Sequence, residues 1–569
     1  MQRRSTPLQR RPSAERFRRW LTRALGPAAG GALALGLVLA APAPGGAVPG
    51  AREGAATESR LATQTALAEL KRGGSAVDAV IAAAFVAGVV APTSSGLGGG
   101  GVALVYRASD HSFTALDFRE TAPAVLDAEA FERRPLPDAE RGKLTGVPGE
   151  ARGLAWLHAR FGKRPWAELV EPAERCARDG FAVEPHLASV LGGKDQARYR
   201  LHGIDPSFWP GGKPAALGRR VKRPALAKTL ETLAKQGAPA LYQGALADDF
   251  VAAARKFGGT LTSADLAKYE PRVRVPLRVK WEDLEIITMP PPSAGGLLLA
   301  EVLGMFSRQE LMERGVQNAK GIRPVAMAMR AAIADRNQYV GDPDRLPVDL
   351  QRVLAPERLR ARKERLFSTP APSVKQLVGE DHGTHALVVA DREGNVVSLT
   401  TTVNDAFGAE IAAEASGIVL NDELDDFTSL QASKALGVRF PPNVARPGAR
   451  PTSSMMPTIV LRGGVPMYAL GGSGGFAIAP SVTETLLRLL AGTGGVEEAV
   501  RAPRYRIDFH DHALVLDTAF GDAVRQDLER AGETVRMGDG TAAVQVLGFG
   551  PGGMTGASDP RKGGVALVR

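Results

Sequence analysis

Thr384 follows Gly383 and opens the run Thr384-His385-Ala386-Leu387-Val388-Val389-Ala390, rich in strand-forming residues. A polar stretch, Asp391-Arg392-Glu393-Gly394-Asn395, separates it from Val396-Val397-Ser398-Leu399-Thr400-Thr401-Thr402. The pattern predicts a β-hairpin centred near Glu393. Thr384 and Thr402 are equidistant from that centre and should face each other across the strands. Asn404 follows on the same face by the two-residue period of a strand. A hydroxyl held by another hydroxyl, directly after a glycine, is suited to cleaving its own Gly-Thr bond. The product would carry a nucleophile, Thr384 Oγ, and its own base, the new α-amino group. Such an amine has an ordinary pKa of about 7.7–8.0, close to working pH, whereas the amide of an uncut chain is no base. Glycine at 383 is read as tolerating the backbone angles that bring Oγ to its carbonyl.

Other residues with chemical potential are weaker. His510-Asp511-His512 places two histidines on one face of a strand, but no further ligand cluster accompanies them, so no metal is expected. Cys176, the only cysteine, cannot form an intramolecular disulfide and sits in a helical-looking stretch, as a buried structural thiol does. Gly471-Gly472-Ser473-Gly474-Gly475 lacks the lysine of a nucleotide-binding loop.

The hairpin and a series of short stretches resemble the γ-glutamyltranspeptidases, members of the N-terminal-nucleophile hydrolases. Downstream these stretches are Thr401-Thr402-Val403-Asn404, 420–427, 450–458, 471–475 and 556–561. Upstream they are Gly98–Gly101, Asp117-Phe118-Arg119-Glu120, 146–149 and 290–296, all in the family's order over roughly 55–569. The resemblance implies an α+β fold, an αββα sandwich of two stacked sheets between helical layers. It implies cleavage at Gly383–Thr384 and attack by Thr384 on the γ-amide of glutathione or a related γ-glutamyl compound, with release to water or to an amino-acid or peptide acceptor. Thr402 would hold the nucleophile, and Gly474 and Gly475 would form the oxyanion hole. Arg119, Ser453 and Ser454 would take the substrate carboxylate, with Asn404, Glu423 and Asp426 taking the ammonium. No cofactor is implied, and Asp426 favours γ-glutamyl over glutaryl substrates. The segment 425–450 falls where the family often has a lid.

One departure is notable. The family usually has Thr, a small hydroxyl residue and then His, where this chain has Thr384-His385-Ala386. Aligning on the histidine would put Gly383 at the nucleophile. The ungapped register keeps Thr384, Thr402 and Asn404 in place, and it is preferred because a one-residue slip turns every side chain of a strand to the wrong face.

Around this site the chain has 569 residues, 44% hydrophobic and 23% charged, enough for a sizeable core. The net charge of +10 is misleading, since residues 1–25 hold eight arginines and one glutamate and leave only +3 elsewhere. Nothing points to nucleic acid. That basic start, the apolar run 32–40 and the small residues and prolines after it read as an export signal and linker over 1–44. Arg18-Arg19-Trp20-Leu21 partly resembles a twin-arginine signal, and the run is short for a membrane span. A periplasmic or secreted location follows. The processed protein would comprise a helix-rich large chain, 45–383, and a small chain, 384–569, in one intertwined fold. Helices are expected at 59–71, 75–89, 480–502 and 521–532, with 150–380 mostly helical and strands dominating after 384. Two other readings compete: a glutaryl or cephalosporin acylase on the same framework, and an unprocessed glutamate- or glutathione-binding protein.

Overall fold

The computed structural model describes residues 50–193, 195–366, 383–435, 438, 441–492, 494–508, 511–539 and 542–569. The expected export signal and His510 lie outside them. Among the described residues, two large antiparallel sheets face each other. The first runs, in spatial order, Val565–Val568, Gly54–Thr57, Gly383–Ala390, Val396–Asn404, Gly100–Arg107, Ser112–Phe118, Arg272–Arg274. The second runs Gly553–Ser558, Ala543–Gly550, Val465–Ser473, Thr458–Arg462, Leu284–Thr288, Leu277–Trp281. Each sheet thus draws strands from both sides of the Gly383–Thr384 bond.

Alternation along the hairpin shows how the layers stack. Leu387, Val389, Val397 and Leu399 join the core beneath the helices Arg60–Lys71, Ala76–Val90 and Glu150–Phe161. Val388, Ala390 and Val396 instead meet Val460, Leu470 and Val546 of the second sheet. Helices Gly295–Met305 and Ile478–Ala491 cover the far side. An αββα sandwich results.

Local chemistry sets the element ends. Ser75 and Asp78 form a reciprocal cap that starts the buried, alanine-rich helix Ala76–Val90. The hairpin turn is exposed at Arg392–Gly394 and is organised by the buried Asp391. The Asp391 carboxylate takes the N–H groups of Glu393 and Asn395 at 3.0 Å, and that of Ala76 at 2.9 Å.

The expected helical run 150–380 is interrupted by the strands Arg272–Arg274, Leu277–Trp281 and Leu284–Thr288. The first two are edge strands, whose arginines and lysine blunt the open edge and obscure the strand pattern in the sequence.

Candidate active site

Thr384 pairs with Thr402 across the hairpin. Their hydroxyl oxygens are 3.2 Å apart. Thr402 Oγ1 lies 3.2 Å from the Gly383 carbonyl oxygen and accepts the Asn404 N–H at 2.8 Å. A hydroxyl has one proton to give. Given to Gly383 O, it polarises that carbonyl and leaves Thr402 Oγ1 to accept from Thr384. One side chain therefore touches both the Thr384 hydroxyl and the Gly383 carbonyl.

Two local details differ from expectation. Strict alternation stops after Thr402, where a register shift brings Asn404 opposite Gly383 with φ 77°. The bulge, in a conformation asparagine tolerates, still turns Asn404 toward the Thr384 pocket. Gly383, in turn, does not take a positive φ. Its glycine is required for space, since a Cβ would collide with the carbonyl oxygens of Asn404 and Asp405.

The pocket is lined by Thr384, Thr402, Asn404, Arg119, Asp426, Ser453, Ser454 and Gly475, together with Arg336, Met455, Phe476 and Ile478. Most of the residues singled out from the sequence converge there. Gly474 and Glu423 are not on its wall. Gly474, at φ 125°, stands against Ala542, which a Cβ would meet at 2.8 Å. It turns the chain from the strand Val465–Ser473 into the helical residues that begin at Gly475, where backbone N–H groups have no intrahelical acceptor.

Glu423 lies behind Arg119. The Arg119 guanidinium bonds Glu423 through Nη1 and Asp426 through Nη2, and donates to the Pro451 and Thr452 carbonyls at 3.3 Å. The turn carrying Asp426 is anchored by Arg134, whose Nη1 is 2.9 Å from Asp425 Oδ1 and whose Nη2 donates to Phe427 O at 2.7 Å. Asn443, in the expected lid segment, donates to Asp426 O at 2.8 Å.

Two hydroxyls, one of them against a carbonyl, and paired charges on the wall of one pocket suit acyl transfer from an amino-acid-like donor. The family model described as Gamma-glutamyltranspeptidase matches residues 62–568. The chain belongs to that family. It is 32% identical over 524 residues to a glutathione hydrolase proenzyme of Escherichia coli (strain K12), covering 89% of this chain and 90% of that protein. A proenzyme of the same name from Pseudomonas aeruginosa is 35% identical over 530 residues, with 88% and 91% covered. The fold is shared with a cephalosporin acylase from Bacillus halodurans, at a TM-score of 0.81, 24% identity and coverage of 94% and 99%.

Within this transpeptidase-family site, sequence reasoning missed Lys562. Its Nζ donates to the Thr384 carbonyl and to Ser473 Oγ, both at 2.8 Å, and lies 3.2 Å from Glu58. All three ammonium protons are thereby used. Glu58 also accepts the Ala386 N–H at 2.9 Å. Lys562 directly follows the Asp559-Pro560-Arg561 stretch, and Asp559 is buried in an ion pair with Arg504 at 2.7 Å. That motif fixes the strand end from which Lys562 reaches Thr384. A lysine one residue beyond the matched stretch carried no signal of its own.

His385 is absent from the pocket wall, as strand alternation from Thr384 requires. Burial, aided by the nearby Lys562 and opposed by Glu58, pushes its pKa down to about 4. The imidazole is neutral at pH 7. The change from the family pattern at this position therefore lies behind Thr384, off the pocket wall.

Beneath Arg119 are two further buried carboxyls. Burial pushes Glu120 and Glu150 up to about 8, with Arg119 opposing the shift at Glu120 and the Thr401 hydroxyl opposing it at Glu150. For Glu150 the folded pKa exceeds the ordinary 4.5, so its stabilisation is complete below that pH and is lost as pH rises through about 8. The span corresponds to roughly 5 kcal/mol at most. Glu150→Gln should therefore flatten the alkaline fall in thermal midpoint between pH 6 and pH 9, read on uncut protein. An unchanged alkaline fall would rule out Glu150 as its source.

Proposed function

We propose that this protein is a self-processing γ-glutamyltransferase and glutathione hydrolase. The observation that carries the reading is Thr402 within 3.2 Å of both Thr384 Oγ1 and the Gly383 carbonyl oxygen. In processing, Thr384 Oγ attacks the Gly383 carbonyl, and the resulting ester is hydrolysed to free a carboxylate on Gly383 and an α-amine on Thr384. The large chain would be 45–383 and the small chain 384–569, with 1–44 removed on export to the periplasm or cell exterior.

In turnover, the Thr384 amine takes the hydroxyl proton as Oγ attacks the γ-amide carbon of glutathione or a related compound. Backbone N–H groups at Gly474 and Gly475 receive the oxyanion. The C–N bond breaks, the proton passes to the leaving amine, and water or an acceptor amine then attacks the γ-glutamyl ester. Arg119, Ser453 and Ser454 hold the α-carboxylate, and Asn404 and Asp426 hold the ammonium, with Glu423 fixing Arg119. The reaction so written uses no cofactor.

Asp426 on the pocket wall favours a substrate with an amine, and so separates this reading from a glutaryl or cephalosporin acylase. Purified protein should hydrolyse γ-glutamyl anilide with kcat/KM at least tenfold above that for glutaryl anilide. A preference for glutaryl would replace the reading with the acylase. Binding of glutamate by a chain that stays uncut would favour a non-catalytic protein.

A further inference from the structure

Arg336 is a pocket residue for which the reaction as written has no use. It occupies the last turn of the helix Ala319–Tyr339 and is only 7% exposed. It shares the pocket wall with Arg119, Asp426, Ser453 and Ser454. Its guanidinium lies over the Phe476 ring, 4.8 Å from the centroid, and Nη1 donates to Asn337 Oδ1 at 3.1 Å. The preceding residue, Asp335, is gripped by Arg362 and, at 2.6 Å, by Arg358, so the helix end is fixed. Phe476 follows Gly475 directly, which ties Arg336 to the loop bordering the nucleophile.

The neighbouring Arg119 is heavily committed. Four of its five N–H groups are accounted for by Glu423, Asp426, Pro451 and Thr452, and the Glu120 carboxylate lies 3.8 Å from Nη1. An arriving carboxylate would have to compete with two protein carboxylates for it. Arg336 adds a second planar donor fork on the same wall, whose charged groups are then Arg119, Arg336 and Asp426. Burial and the like charge of Arg119 pull Arg336 down to about 10, and Asp426 opposes them. A buried guanidinium in that position is stabilised by an incoming anion.

We infer that Arg336 is a specificity-determining residue, a second guanidinium that reads the α-carboxylate of the donor beside Arg119. The ammonium is left to Asp426. This rests on the γ-glutamyl reading of the pocket. The cation–π contact with Phe476 restrains the guanidinium before substrate arrives, which lowers the ordering cost of binding.

Three anilides separate the possibilities: γ-glutamyl (carboxylate and ammonium), glutaryl (carboxylate only) and 4-aminobutyryl (ammonium only). In Arg336→Gln, KM for the γ-glutamyl and glutaryl anilides should rise at least tenfold with kcat within threefold, and KM for the 4-aminobutyryl anilide should stay unchanged. Arg336→Lys should recover part of the loss. An equal change on all three substrates, or none on the first two, overturns the inference. Where Arg336→Gln folds poorly, Arg336→Lys alone carries the comparison. If the wild-type protein cleaves none of the anilides, the γ-glutamyl reading fails by itself. The inference is then decided by calorimetry, where L-glutamate should bind wild-type protein and bind Arg336→Lys at least fivefold more weakly; no binding to wild type, or equal binding, overturns it.

Discussion

Thr384→Ala should give a chain that stays in one piece and turns over no substrate. The wild-type protein should yield a fragment whose first residue is Thr384. Intact mass and N-terminal sequencing read both outcomes directly. The expected loss in kcat/KM is at least about 10⁴-fold, as for removal of other nucleophiles that act with a base as one unit. The loss is double, because the substitution removes the oxygen that attacks Gly383 and the oxygen that attacks substrate. A contribution to folding is expected to be small, since the deleted hydroxyl bond is worth only about 1 kcal/mol. Thr384→Ser keeps the oxygen and should still cut, more slowly, because the methyl that restricts χ1 is gone. Cleavage at the same bond in Thr384→Ala would remove Thr384 from the chemistry altogether.

Lys562→Met is expected to lower kcat/KM near pH 7 by about three- to tenfold, tenfold being the most that a one-unit shift in a single base allows. Lys562 Nζ is 2.8 Å from the Thr384 carbonyl oxygen, which places its charge within roughly 5 Å of the residue's nitrogen. A neighbouring cation disfavours the protonated amine, so the α-amino pKa falls and more of it is the free base at neutral pH. Glu58, at 3.2 Å from the lysine, cancels part of that field and leaves a net effect on the order of one pKa unit at an effective dielectric near 20. Removing the lysine should move the acid limb of the kcat/KM profile upward by about that unit. Lys562→Arg should largely restore the limb. An acid limb that stays in place in Lys562→Met would reduce the lysine to a structural tie between Thr384 and Ser473.

The pairing of Thr384 with Thr402 was legible because strands have a rigid period and the turn at 391–395 divides the two runs symmetrically. Thr384 opposite Thr402 follows from counting alone. The motif residues Arg119, Asp426, Ser453, Ser454 and Gly475 also meet in one pocket, although hundreds of residues separate them. What stayed hidden depends on tertiary approach. Arg336 lies on a helix, where an arginine ordinarily reads as a solvated side chain, and only packing turns it inward. Lys562 comes from the far end of the chain. The bulge at Asn404 breaks the very period that located Thr402, and charged edge strands at 272–281 were lost within a helical stretch.

Both sheets take strands from either side of Gly383, which gives the proposed cut at Gly383–Thr384 a consequence beyond exposing an amine. Before cleavage the protein can unfold and refold as one chain. Afterwards the same hydrogen-bonded surfaces belong to two molecules, and recovery becomes a second-order encounter between sticky, incomplete halves. The working enzyme is therefore expected to persist by the slowness of its opening rather than by a reversible equilibrium.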